Sequence, residues 1–261
     1  MVAAVPKLQG GSKRATAWFN AALDAAALGL LDDDALDLVT TEFYRRSRLY
    51  ESDAMNARGL FEWERLAIDE HFPKEGRVLI TSAGGGREAL ALLERGWNVT
   101  ALECTDSLAD GLVRRLEPFV RSGRARTLCA PPDEVPGGGD PFDAAIVGWG
   151  GYTHMISRER RVRFLERLRG VLKPGAPALV SFHGTSRGHG RAARAASAIA
   201  NLSRGILRRR PVETGETLSP GALSRRFVPG EVSAEMRDAG FAGPVEKWAE
   251  DLWAVARVPR G

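Results

Sequence analysis

Three consecutive glycines, Gly84, Gly85 and Gly86, are followed by an acid, Glu103, 19 positions after the first of them. Residues without a β-carbon let the backbone take positive φ and approach a ligand closely. A helix starting near Gly86 would aim its unpaired N–H groups at that ligand. A carboxylate at this distance can accept hydrogen bonds from both hydroxyls of a ribose. The combination points to a nucleoside-bearing cofactor. Two imidazoles able to act as bases near neutral pH lie downstream: His154, in Gly148-Trp-Gly-Gly-Tyr-Thr-His-Met155, and His183, in Ser181-Phe-His-Gly184. Tyr152 would be a substrate contact beside His154; satisfying loop carbonyls is the competing role for both histidines. His71 and His189 fall in predicted loops and carry no comparable argument.

The elements that must hold these groups follow from hydrophobic period. Val78, Leu79 and Ile80 form a short apolar run, and Ala89, Leu90, Leu92 and Leu93 recur at helical spacing until Gly96. The first unit is therefore strand, tight turn, helix. Strands are predicted at 77–82, 98–103, 125–130, 142–148 and 177–183, with helices at 86–96, 106–121 and 157–172 between them. Such alternation makes a parallel sheet covered by helices on both faces. The 131–141 connection is too rich in Pro and Gly for a full helix. A helix closing at Gly240 precedes strands at 244–248 and 252–258, whose link is too short for a parallel crossover. They should form an antiparallel hairpin. Residues before 72 read as helices, including 17–31 and 35–44.

The chain has 261 residues, 44% of them hydrophobic, enough for a sizeable core. No apolar run approaches the roughly 18 to 20 residues needed to span a bilayer, and no signal-peptide pattern precedes the alanine-rich segment 15–31. A soluble, cytoplasmic protein is expected. Cys104 and Cys129 have no close-set partners, so they read as small buried hydrophobes, not as a disulfide or metal site. Metal-ligand spacing is absent elsewhere. Nothing in the sequence signals an oligomeric state.

In order, these pieces resemble the class I S-adenosylmethionine-dependent methyltransferases over residues 73–258. The match is carried by Val78 to Gly86 and the following helix, by Glu103, and by Pro141-Phe-Asp-Ala-Ala-Ile-Val147. Phe164 to Ala176, with its Leu-Lys-Pro-Gly, leads into Ala178-Leu-Val-Ser-Phe182, and Ala-Gly-Phe241 precedes the hairpin. The resemblance implies a doubly wound, Rossmann-like α/β fold with a seven-stranded sheet in the order 3-2-1-4-5-7-6, an N-terminal helical cap (1–72), a cofactor-binding domain (73–261) and a basic insertion at about 184–229. It implies S-adenosyl-L-methionine as cofactor and a small-molecule methyl acceptor. Ser82, Ala83, Gly84 and Gly86 would border the methionine portion, Glu103 with Cys104 the ribose, Ala130 and Pro131 the adenine, and Trp149 or Gly150 the reacting end. The family's acid is replaced by Ile80, Ser82 stands for its first glycine, and the adenine-contacting acid is absent at Ala130, with Asp133 nearby. Tyr50, Arg58 or the Ser82 hydroxyl would then compensate.

The expected reaction is methyl transfer to oxygen or nitrogen of a small molecule. No Asn/Asp-Pro-Pro-aromatic sequence follows the fourth strand, which argues against amide or DNA-base nitrogen. Net charge is +4, yet 187–226 alone carries nine arginines against Glu213 and Glu216. Three uses compete: a solvated lid face, a grip on an anionic acceptor, and attachment to nucleic acid or an anionic membrane. Without aromatic interleaving, nucleic acid is the weakest. A nicotinamide-dependent oxidoreductase would explain the glycine turn and Glu103, but Tyr152 and Tyr44 lack a Lys four residues on. A non-catalytic cofactor-binding module is the third reading, motivated by Ile80 and Ser82.

Overall fold

The computed structural model describes residues 5–218, 221–248 and 252–260, with the backbone alone for 5–15. Helices α1 (Val5–Leu30), α2 (Asp33–Arg46), α3 (Arg48–Glu51), α4 (Asp53–Asn56) and α5 (Glu62–His71) precede the sheet. Asp32 starts α2 by accepting the Ala35 N–H at 2.9 Å, and Ser52 starts α4 by accepting that of Met55. Strands β1 (Arg77–Thr81), β2 (Asn98–Glu103), β3 (Ala125–Cys129), β4 (Ala144–Val147) and β5 (Pro177–Ser181) alternate with α6 (Arg87–Glu94), α7 (Asp106–Arg121) and α8 (Arg158–Gly170). A 3-10 turn, Gly151–His154, follows β4. Helix α9 (Arg191–Ile206), a short ribbon of β6 (Glu216–Thr217) and β7 (Ser224–Arg225), and α10 (Glu231–Asp238) lead to β8 (Ala242–Trp248) and β9 (Leu252–Arg257).

The sheet order is β3-β2-β1-β4-β5-β9-β8. The first five strands are parallel, and β9 pairs antiparallel with both β5 and β8, as the short link requires. Val78 and Ile80 point to one face and Leu79 to the other, and all three are fully buried. One core joins Val78, Ile80 and Ile146 to Leu92, Leu93 and Leu112; the opposite core joins Leu79, Val147 and Val180 to Phe164, Leu168 and Met236. Two covered faces explain why the strands read as continuous apolar runs. Ala67 and Ile68 of α5 belong to the first core, so the boundary expected at residue 72 divides that helix from the sheet it packs on.

The N-terminal helices and the basic insertion form one cap. Ala21 and Ala25 of α1 pack on Ala196 of α9, and Leu28, Leu36, Ala200 and Leu223 share a small core. At Gly29 an added β-carbon would lie 3.2 Å from that of Ser203, so the two helices touch nearly backbone to backbone. Arginines fasten this pair. Arg204, 1% exposed, donates to the carbonyls of Leu28 and Leu31 at 2.8 and 2.7 Å and to Asp33 at 2.7 Å, neutralising the free carbonyl end of α1. Arg210 pairs with Asp33 and Glu216, Arg209 donates to Leu30, and Arg225 pairs with Glu213 and Glu231. Four of the arginines expected on a lid face or substrate grip are thus internal ties. Replacing Arg204 with Met should lower unfolding free energy by about 3 kcal/mol, because buried carbonyls and Asp33 lose their donor. Replacing the exposed Arg191 with Ser should change it by less than about 0.5 kcal/mol. Urea denaturation of both variants measures the difference.

Candidate active site

At the carboxyl ends of β1, β2 and β4 lies a cavity of about 440 Å³, roofed by α2 and the α3–α4 segment. The β1 end enters it through Ser82, Ala83 and Gly84. Glu103 completes β2 and is 5% exposed; its Oε2 accepts the Gly84 N–H at 2.7 Å and its Oε1 that of Thr105 at 2.9 Å. The acid and the bend are therefore fixed to each other, with Cys104, Ala130 and Pro131 beside them on the cavity wall. The Cys104 thiol is pushed up to about 12 by burial and by the Glu103 charge, which leaves it an inert apolar lining. Cys129 is exposed at the cavity edge, not a buried hydrophobe as expected, because it ends the outermost strand.

Gly85 also lines the cavity, and both it and Gly86 are required for packing. A β-carbon on Gly85 would lie 2.2 Å from the Tyr50 carbonyl oxygen and 2.6 Å from the Asn56 amide nitrogen; one on Gly86 would meet Leu112 at 2.7 Å. Asn56 donates to the carbonyls of Tyr50 and Ser52, holding the α3–α4 segment down on Gly85. Gly86, expected to border the cofactor, instead faces α7 and does not line the cavity.

Next to this closed bend sits a buried charge cluster. Arg87 clasps Glu64 with two hydrogen bonds, 2.5 and 2.6 Å, and donates to Glu88 at 2.6 Å. Its guanidinium lies 3.7 Å from the centre of the Phe61 ring, which contacts Trp149 at 5.1 Å. All three charged residues are at most 4% exposed, and Arg87 and Glu88 line the cavity. Two carboxylates share one guanidinium, so the cluster holds an excess negative charge. Burial and the Glu88 charge push the Glu64 carboxyl up to about 7. Sequence reading missed this group, although an Arg-Glu pair directly after the glycines was its visible signal.

Trp149, 38% exposed, stands at the cavity rim within 6.2 Å of the Tyr50 ring, and Tyr50 lies 5.4 Å from Tyr44. His154 enters from the 3-10 turn. Its Nδ1 lies 2.5 Å from the Leu223 carbonyl, which can only accept, so Nδ1 carries the proton and Nε2 is free to accept from the Tyr44 hydroxyl at 2.6 Å. Burial pushes the imidazole down to about 4, so it is neutral near pH 7, and burial with the nearby Tyr50 raises the Tyr44 phenol. Tyr44 was not expected from sequence, since nothing in the chain order joins residue 44 to 154.

Besides Gly86, three expected site residues lie elsewhere. Tyr152 is fully buried, stacks on Phe227 and donates to Glu235 at 2.5 Å within a network containing Arg161 and Glu213. It is a core residue because it turns to the sheet side of the 3-10 turn while His154 faces the cap. His183 is exposed and does not line the cavity; its ring packs near Gly150, 6.2 Å from that of His154. Arg58 is exposed and also outside the cavity wall. Asp133 pairs with Arg160 at 2.9 Å, and Arg160 pairs with Asp37 at 2.5 Å, linking the 131–141 loop to α2 at the cavity edge.

If the cluster's excess charge faces a cationic ligand, affinity should follow Glu64. Below about pH 7 Glu64 gains a proton and the excess disappears. Binding of an ammonium-bearing ligand such as S-adenosylhomocysteine should therefore strengthen from pH 6 to pH 8, and Glu88→Gln should weaken it by about 10-fold to 100-fold. Calorimetric titration at three pH values reads both effects.

No family model matches the chain. The ubiquinone/menaquinone biosynthesis C-methyltransferase UbiE of Geotalea daltonii is 23% identical over 129 residues, covering 48% of this chain and 53% of that protein, so the match spans about half the relative's length. Among solved structures, an S-adenosylmethionine-dependent methyltransferase of Methanosarcina mazei aligns with TM-score 0.55 at 18% identity, covering 78% of this chain and 100% of the other. The methyltransferase CcbJ of Streptomyces caelestis aligns with TM-score 0.58 at 14% identity, over 84% of this chain and 98% of the other. The 1,6-didemethyltoxoflavin-N1-methyltransferase of Burkholderia thailandensis, solved with its substrate and S-adenosylhomocysteine, aligns with TM-score 0.52 at 19% identity, over 85% of each chain. With its sheet order, terminal hairpin and cavity at the strand ends, the chain has the fold of the class I S-adenosylmethionine-dependent methyltransferases.

Proposed function

We propose that this protein transfers the methyl group of S-adenosylmethionine to an oxygen or nitrogen of a small molecule. The observation that carries this reading is the buried excess carboxylate of Glu64, Arg87 and Glu88 beside a bend already covered by Tyr50 and Asn56. A dinucleotide would need to lay a pyrophosphate on that bend and on the start of α6. Here Tyr50 and Asn56 pack on Gly85, and the two acids would repel a pyrophosphate. A cofactor with cationic ammonium and sulfonium groups suits the same place.

Bound S-adenosylmethionine supplies an electrophilic methyl group and needs little from the protein beyond alignment. Glu103 would hold the ribose hydroxyls with the lone pairs left by Gly84 and Thr105. Glu88 would take the ammonium, the role that the hydrocarbon side chain of Ile80, buried in the sheet, cannot fill. Cys104, Leu108 and Ala130 offer an apolar slot for adenine. Trp149 and Tyr50 present aromatic faces to the reacting end, where a cation is favoured.

Tyr44 and His154 would manage the acceptor's proton. As the acceptor's O–H or N–H bond breaks, its proton passes to the Tyr44 oxygen while the Tyr44 proton passes to His154 Nε2, leaving Tyr44 neutral and His154 charged. The low imidazole pKa makes this transfer unfavourable unless it accompanies methyl transfer, so the pair would act as a relay and not as a standing base. The two arginines lining the cavity, Arg87 and Arg160, are each held by two carboxylates. That favours a neutral acceptor over the anionic one considered from the arginine count.

S-adenosylhomocysteine at a hundredfold excess over Kd should stabilise the protein by about 2.7 kcal/mol in a thermal melt, and NADH and NADPH should not. Stabilisation by a dinucleotide alone sinks the proposal. With an acceptor found by screening phenols and amines for S-adenosylhomocysteine release, Tyr44→Phe should lower kcat by about 10²-fold to 10⁴-fold. Its affinity for S-adenosylhomocysteine should stay unchanged; an unaltered kcat would remove Tyr44 from the chemistry.

A further inference from the structure

The outer face of the cap is apolar. On α1 Phe19, Leu23 and Leu30 are 65%, 55% and 65% exposed, and on α9 Ile199, Leu202 and Ile206 are 56%, 72% and 84% exposed. The α1 set is spaced by four and seven residues and the α9 set by three and four, so each lies along one side of its helix. Both helices use one side for the protein body, through Asp24 and Leu28 on α1 and Arg204 and Asn201 on α9. Each uses a flank for the other, at Gly29 and Ser203. The remaining sides therefore both look outward and form one surface. Single exposed apolar residues are ordinary; six large ones on two adjoining helices are not.

Charge decides what covers it. Arg191 and Arg194 stand at one end of the α9 stripe and Arg208 at the other, all exposed, and no described hydrogen bond or ion pair engages their side chains. Residues 191–212 contain no acid, and the only acid in 16–31 is Asp24, which is buried and accepts the Leu218 N–H at 2.8 Å. A second copy across a two-fold axis would bring these like charges together. An anionic bilayer offers both complements: an acyl boundary for Leu202 and Ile206, and phosphates for the guanidinium groups.

We propose that the outward face of α1 and α9 is a peripheral docking surface for anionic membrane. This does not depend on methyl transfer. The intact chain should float with vesicles of phosphatidylcholine containing about 30% phosphatidylglycerol and not with phosphatidylcholine alone, and about 1 M salt should release it. Replacing Arg191 and Arg194 with Ser and Arg208 with Asn should weaken binding on the order of 100-fold. Leu202→Ser with Ile206→Ser should weaken it by at least about tenfold. Binding that ignores lipid charge, or absence of binding by the unmodified chain, overturns the proposal without any variant being needed. So does sedimentation showing a dimer that the Leu202/Ile206 variant converts to folded monomer, which would assign the face to a second copy.

Discussion

Arg87 is the constraint on which the site depends. One guanidinium, shut away from water, holds Glu64 from the last helix before the sheet and Glu88 from the helix that follows the glycine bend. It also donates to the carbonyl of Gly59 and stacks on Phe61, so it positions the chain entering α5. A buried charge must be paired, and this pairing forces α5, the bend and the Trp149 rim into one arrangement. The imbalance of two acids to one base is the more informative feature. It is costly in a low-dielectric wall, and a cation in the cavity, such as the proposed cofactor would bring, would offset that cost.

The same logic accounts for part of the basic insertion. Arg204 covers the carbonyl end of α1 while Arg210 and Arg225 answer Asp33, Glu216, Glu213 and Glu231, so much of the charge counted along the chain is neutralised inside it. Arg187, Arg191, Arg194, Arg208 and Arg226 stay exposed, and of these Arg191, Arg194 and Arg208 lie beside an apolar face. The insertion is thus two surfaces in one segment: an inner one that fixes the cap over the cavity through Leu28, Leu36 and Leu223, and an outer one with its own chemistry.

Tyr44 and His154 illustrate how the cap contributes to the cavity. The histidine is oriented by the Leu223 carbonyl from the insertion, and the tyrosine comes from α2; Leu223 is itself held by Thr40 one turn earlier on that helix. Proton handling would therefore depend on three segments far apart in sequence, each placed by the packing of the cap.

Periodicity and punctuation determined the order and type of the sheet elements. Apolar runs at 78–80 and 144–147, helical spacing after Gly86 and the short link before 252 have local causes, so they were legible without coordinates. Glu103 was legible as well, because one strand-helix-strand unit brings it back beside Gly84. Tertiary structure alone decided which side chains of one short turn face the core and which the cavity, Tyr152 inward and His154 toward Tyr44, and it left His183, beyond β5, at the surface. It also decided that Gly85 packs against Tyr50 and that four of the nine arginines of the insertion are internal. These outcomes depend on where separate helices meet, and a charge or hydroxyl in a sequence carries no record of the partner that will desolvate it.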